Sequence, residues 1–528
     1  MGIHYLMPVL LNFFRLIVYI APWLLVLTAC KTAPPSTTDY SSSTVPAFVN
    51  RETYREVRQQ YVQQDSAQAF DADIILNDRE KMANRRLKAI QQEMLDHYKK
   101  INFFPPARYF YQSQKHIEQT GLFQLLRKMP KGGLLHLHPA ASGDLHWVVN
   151  RALTEPDCYV FWDEDSDEHI KGELKFFREN DVKTGFKSIS KLSQQIPQFT
   201  DSLYDLLTFD QGMIKDSVNI WGAFEGHFTQ LGGFFYYQPV FRDYLTAVFD
   251  TLIADGVQHV ELRAGISSRR LYDLDHPIGY YTADTMVQYY QNALLRAQQT
   301  DPDFTLKLIK TNLRFWPVDT IRQDVVQAFQ LRQRYPDFIK AYDLVAEEDA
   351  GKSTLEFLDV WLMFDSLSQK YSVGLPLCLH DGESDWDVDN LYDAVTLRSY
   401  RIGHGFNLYR YPAVQRAMMK QNICMEINPL SNQILGYVRD LRVHPAVGYL
   451  AQGIQCSISS DDPGVFGYNG VTYDYWSIFL AWELDLRSLK KLAMNGITYS
   501  LLSDEEKEAA MQVWEGRWDD FIDECLEH

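Results

Sequence analysis

A handful of residues far apart in the 528-residue chain carry side chains suited to hydrolytic metal chemistry. His136 and His138 form an H-x-H pair at the end of GGLLHLH (132–138), and His380 and Glu383 flank Gly382 in LHDGES (379–384). His404 lies in RIGHGF (401–406), and Asp461 and Asp462 close IQCSISSDD (454–462). In a strand, side chains at i and i+2 face the same way, so His136 and His138 can reach one ion. Three imidazoles and a carboxylate make a zinc shell that leaves a position open for water, and a divalent cation lowers the pKa of that water toward neutrality. Glu383 and His404 are not needed to fill the shell and are the candidates for general acid and base work. Singly, each piece has an ordinary explanation: H-x-H arises by chance, a strand-end histidine is commonly a hydrogen-bonded structural residue, and Asp-Asp before Pro463-Gly464 marks a turn. Their joint placement points to a metal site.

These residues sit at the C-terminal ends of short apolar runs. Further runs are VQHVELRA (257–264), FTLKLIKTN (304–312), FIKAYDLVA (338–346) and ICMEINPL (423–430). Together they make eight, separated by helix-length connections, which predicts parallel strands buried on both faces. The expected fold class is α/β, a (β/α)8 TIM barrel whose strand C-termini bring the polar residues into one pocket. Residues 51–128 carry spaced apolar positions (Ile90, Met94, His97, Tyr98) in a polar background and read as a helical N-terminal extension, with the barrel over 129–528. The stretch between the first and second runs, 139–256, far exceeds one helix and predicts an inserted subdomain at about 155–215. Ser503-Asp504-Glu505-Glu506 has capping-box spacing at the start of a last helix.

Composition narrows the function. With 46% hydrophobic and 23% charged residues the chain is globular, and its formal charge of -18 argues against a nucleic-acid partner. None of the six cysteines forms a C-x-x-C pair. Arg15 precedes an apolar stretch of signal-peptide length that closes at Leu27-Thr28-Ala29-Cys30. That closing sequence resembles the lipobox of bacterial lipoproteins, in which the cysteine is lipidated and becomes the N-terminus. Eleven of the twenty residues 31–50 are Ser, Thr or Pro, the composition of a flexible tether. The competing reading is an uncleaved membrane helix over 5–29, interrupted by Asn12, Arg15 and Pro22. On either reading the remainder is expected outside the cytoplasm.

The order of motifs resembles the adenosine deaminase family across most of 85–500: MPKGGLLHLH (129–138), LHDGES, RIGHG (401–405), NPLSN (428–432) and SSDDP (459–463). The MPKGG wording, NFFPPARYF (102–110) and the long insertion look most like its secreted branch, the adenosine deaminase-related growth factors. The resemblance implies one zinc ion on His136, His138, His380 and Asp461. It implies Glu383 as proton donor to purine N1, His404 as the residue that orients and deprotonates water, and Asp462 as the partner of N7. It also implies adenosine and deoxyadenosine as substrates and a homodimer formed through the N-terminal helices. Two positions depart. Pro139 follows His138 where the family has an acidic residue nearby, so ribose recognition passes to Asp144, Trp221 or Glu225; and Ala346 replaces a glycine whose backbone contacts the purine.

AEEDAGKS (346–353) loosely matches a phosphate-binding loop, but Glu347, Glu348 and Asp349 would set three negative charges against a phosphate. The rivals are an amidohydrolase for another aminopurine nucleoside or nucleotide, and a nucleoside-binding lipoprotein that has lost turnover. A phosphate-bearing substrate would require a basic pocket. Against lost turnover, every proposed catalytic position holds a chemically competent residue.

Overall fold

A computed structural model describes residues 50–162, 171–210 and 220–527; the segment around Cys30 lies outside them. The chain divides into two units, 1–63 and 64–528. Asn50 Oδ1 accepts from the Glu52 and Thr53 N–H groups and opens the helix Arg51–Gln68, which starts in the first unit, ends in the second and buries none of its residues.

The second unit continues with the helix Asp78–Ile101, fixed at its start by a reciprocal Asn77–Glu80 capping box. Its buried face is Ala83, Leu87, Gln91, Leu95 and Tyr98. Ile90 and Met94 are only partly buried and His97 is exposed, because with the helix Gly121–Lys128 they border an open groove. Strand β1 (Gly132–Leu137) is buried along its whole length. The insertion follows it: β2 (Cys158–Phe161), β3 (Leu174–Phe176) and β4 (Phe186–Ser188) form a small antiparallel sheet in the order β3-β2-β4.

Seven more strands complete the barrel: β5 (Val257–Ala264), β6 (Thr305–Leu313), β7 (Ile339–Val345), β8 (Cys378–Asp381), β9 (Arg401–His404), β10 (Cys424–Ile427) and β11 (Cys456–Ile458). They pair in parallel as β1-β5-β6-β7 and β8-β9-β10-β11. The two seams are closed by the bridges Tyr342↔Leu377 and Leu137↔Asp461. At each seam a side chain replaces part of the ladder: Asp343 Oδ1 accepts from the His380 N–H at 2.9 Å, and Ser459 Oγ accepts from the Leu135 and His136 N–H groups at 3.3 and 3.2 Å. The result is the (β/α)8 barrel with a helical N-terminal extension and an insertion after the first strand.

After β11 come the helices Thr472–Ala481, Leu486–Thr498 and Asp504–Glu527, the last opened by reciprocal Ser503–Glu506 bonds. The extension is tied to them: Gln91 Nε2 donates to the Phe479 and Leu484 carbonyls, and Trp518 Nε1 donates to Glu80 Oε1. Cys158, Cys378, Cys424, Cys456 and Cys525 are free and buried.

Candidate active site

Barrel closure carries the strand-end residues into one cluster. His136 Nε2 and His138 Nε2 each lie 3.2 Å from Asp461 Oδ1, and His138 Nε2 lies 3.3 Å from His380 Nε2. His404 sits beside them, with Nε2 3.8 Å from Asp461 Oδ2 and Nδ1 3.4 Å from Glu383 Oε1. Donor atoms of His136, His380, His404 and Asp461 lie within 4.8 Å of one another, as do those of His138, Asp461 and Asp462. Gly403 makes room for the cluster, since a Cβ there would fall 2.9 Å from His136 Cε1.

The donors are held from behind. Glu426 Oε2 meets His136 Nδ1 at 2.8 Å and Asp343 Oδ2 meets His380 Nδ1 at 2.6 Å, so the opposite Nε2 atoms face the centre. Arg263 bridges Asp343 and Glu426, and Arg401 bridges Glu426 and Glu261, all fully buried at the barrel floor. Burial alone would raise the Glu426 pKa, but the two guanidiniums hold it well below the carboxylate range. His136 Nε2 and Asp461 Oδ1 are buried and have no hydrogen-bond partner. Each such orphan costs about 1–3 kcal/mol unless something meets it, and a cation between them would meet both. The residues present therefore fit a metal ion.

Burial, then the charges of Asp461 and Glu348, raise the Glu383 carboxyl well above its usual range, so that it keeps its proton. Burial and Asp461 do the same to Asp462. Burial lowers His404 well below its usual value and keeps it neutral. Glu383 Oε1 and Asp462 Oδ1 are also without partners. Three non-glycine residues here adopt left-handed backbone, His404 (φ 61), Asp461 (φ 64) and Ala346 (φ 86), the kind of strain that functional sites hold.

These groups face a cavity of about 430 Å³ whose walls include Trp221, Glu225, Phe228 and Ala346. Trp221 Nε1 donates to the Tyr437 hydroxyl at 2.7 Å, which donates to the Glu383 carbonyl at 3.1 Å. Asp144 is not brought to the cavity wall. Its carboxylate accepts from the His146 N–H at 2.8 Å and caps the helix Leu145–Thr154. Sequence reasoning missed Glu426, Asp343 and Glu348. The last, in the stretch that mimics a phosphate loop, accepts from the Gly382 and Glu383 N–H groups at 3.0 and 2.7 Å. A charged residue inside an apolar strand run, as in CMEI and IKAYDLV, was the available signal for the first two.

The family profile described as "Adenosine deaminase" matches residues 221–513, and "Adenosine/AMP deaminase N-terminal" matches 23–126. The chain belongs to the adenosine deaminase family. This family member is 33% identical over 488 residues to adenosine deaminase 2 of Pongo abelii and to that of Homo sapiens, in each case across 88% of this chain and 93% of the relative. In fold it is similar to the N6-methyl-AMP deaminase of Arabidopsis thaliana, with a TM-score of 0.54 and 14% identity over 75% of this chain and 98% of that one. As a member of this family, the protein is a metal-dependent aminohydrolase.

Proposed function

We propose that the chain hydrolyses adenosine, and also 2'-deoxyadenosine, to the inosine product and ammonia with one zinc ion held by His136, His138, His380 and Asp461. The observation that carries this reading is the convergence of unpartnered His136 Nε2 and Asp461 Oδ1 beside unpartnered Glu383 and Asp462 oxygens. Three imidazoles and one carboxylate are a donor set that suits zinc with a position left open. Zinc, when bound, supplies Lewis acidity that makes water a nucleophile near neutral pH. Glu383 carries the proton that N1 needs, and its transfer makes C6 electrophilic. Neutral His404 orients the attacking water and takes its proton, while the protonated Asp462 carboxyl donates a hydrogen bond to N7. Addition at C6 and protonation of the amino group release ammonia. Trp221 and Glu225 take over the ribose contact that Pro139 no longer supplies.

Ammonia release from adenosine, measured with the zinc content of the same sample and a chelated control, tests the reading. Chelator-sensitive turnover at about one zinc per chain is expected. Zinc without turnover of adenosine or deoxyadenosine would overturn the substrate, and absence of any bound metal would overturn the site.

The reading extends to location and assembly. Lipidation at Cys30 would anchor the protein outside the cytoplasm, with 31–50 as tether and 51–128 as an extension through which two copies pair. Among the described residues no helix is long and apolar enough to cross a membrane. Cys30→Ala should move the protein from the membrane to the soluble fraction, and sedimentation should show a dimer.

A further inference from the structure

The cavity of the candidate site opens into a second cleft of about 570 Å³, and Gly265, Arg270, Thr311, Asn312 and Leu313 border both. The second cleft is lined further by Ser267, Ser268, Arg269 and Gln327. Among the described residues it is lined by one carboxylate, Asp324, which is already held by Lys310 Nζ and by the Tyr342 hydroxyl at 2.9 Å. Among the described residues no carboxylate compensates Arg269 or Arg270, a local positive field in a chain of net charge -18.

Arg270 is half-buried at the junction of the two spaces, and among the described residues no carboxylate pairs with it. Its guanidinium lies 5.1 Å from the Tyr236 ring centroid, a stacking contact that orients the fork. It also folds back on the end of β5, where a Cβ at Gly265 would come within 3.2 Å of Arg270 Nη2. A planar, oriented and unpaired fork beside hydroxyl and amide donors is what a phosphate dianion requires.

We propose that this cleft is an anion subsite continuous with the base pocket, and that it seats a phosphate carried on the sugar of an aminopurine nucleotide. The inference rests on the deaminase reading above and deepens it: the substrate class includes nucleoside monophosphates.

The test compares AMP with adenosine in the zinc-loaded full-length protein. AMP should be deaminated with kcat/KM at least equal to that of adenosine, and Arg270→Gln should lower the AMP-to-adenosine ratio of kcat/KM at least tenfold. Gly265→Ala, which presses on the guanidinium, should lower the same ratio and serves if the first variant does not fold. Turnover of adenosine with no turnover of AMP, or a ratio unchanged in both variants, overturns the subsite and leaves the deaminase reading standing. If neither compound is turned over, the deaminase reading fails, and calorimetry with IMP and inosine decides the subsite. IMP binding tenfold tighter than inosine, lost in the variants, upholds it; equal binding of the two overturns it.

Discussion

At the scale of single residues, the proposed reading separates groups that would hold a metal from groups that would move protons. Glu383 Oε1 stands 3.4 Å from His404 Nδ1 and makes no hydrogen bond. Glu383→Gln should therefore retain bound zinc and lose turnover by roughly 10²–10⁴-fold, as removal of a general acid does. Loss of metal in that variant would contradict its role as a proton donor outside the shell. Gly403 makes the opposite case, a residue with no chemistry whose smallness matters. A methyl at Gly403 would meet His136 Cε1 at 2.9 Å and His136 Nδ1 at 3.3 Å, tilting this metal-facing imidazole. Gly403→Ala should weaken zinc binding roughly 10–100-fold, the usual cost of disturbing the groups that orient a ligand. Competition with a zinc chelator measures it, and unchanged affinity would show that the His136 imidazole does not depend on this contact.

At the scale of elements, strand-end loops are tied to each other as well as to their own strands. The stretch after β7 supplies Glu348, whose two oxygens clamp the backbone of the loop after β8, while Asn390 Nδ2 adds a third bond at 2.8 Å. Ser384 in the same loop bonds Asp349. Glu348→Ala would free the turn that presents Glu383. The expected result is a fall in kcat of roughly 10–100-fold, comparable to the loss of positioning elsewhere, with zinc content unchanged. Equal kcat in variant and parent would mean that the loop holds its shape without the clamp.

At the scale of the molecule, acid sensitivity follows from a buried histidine outside the proposed metal shell, linked to His404 through the Asn432 amide. His444 is buried, with Nδ1 accepting from the Ala446 N–H at 3.1 Å and Nε2 facing Asn432 Oδ1 at 3.1 Å. Burial pushes its pKa down to about 3. The folded chain thus keeps this ring neutral while the unfolded chain protonates it near pH 6.5, so stability is lost as pH falls through the interval between the two values. At pH 5 the loss is about 2 kcal/mol at 1.36 kcal/mol per unit. Denaturant unfolding at pH 7 and pH 5 should show that difference in the parent and a shallower one in His444→Gln; parallel slopes would remove His444 as the cause. The same scale holds the tie between chain ends, where Gln91 and Trp518 join the N-terminal extension to the helices behind the barrel.

Much of this was legible in the sequence because a barrel strand buried on both faces is a short apolar run, and its first polar residue marks where it leaves the core. Position along the chain was enough to pick out His136, His380 and Asp461 as strand-end residues. The buried register of the helix Asp78–Ile101 was not legible: Ile90 and Met94 are as apolar as Leu87 and Leu95, and the packing partners chose between the two stripes. Asp144 shows a similar limit, since a carboxylate after a strand end can bind a sugar or cap a helix with equal chemistry, and its capping of the helix Leu145–Thr154 was visible only in the structure.

By itself the sequence determined the residue types at the strand ends, the count of strands and so the family and the reaction class, because those depend on local pattern and spacing. Tertiary structure alone decided which charges neutralise which. Glu426 and Asp343 became supports for imidazoles, Glu348 became a backbone clamp, and Arg270 was left with no carboxylate partner among the described residues where the site cavity meets a second cleft. The physical reason is that an ion pair or an unpaired charge is set by distances between distant segments, and electrostatic interaction energy depends on that separation and on burial, neither of which is written along the chain.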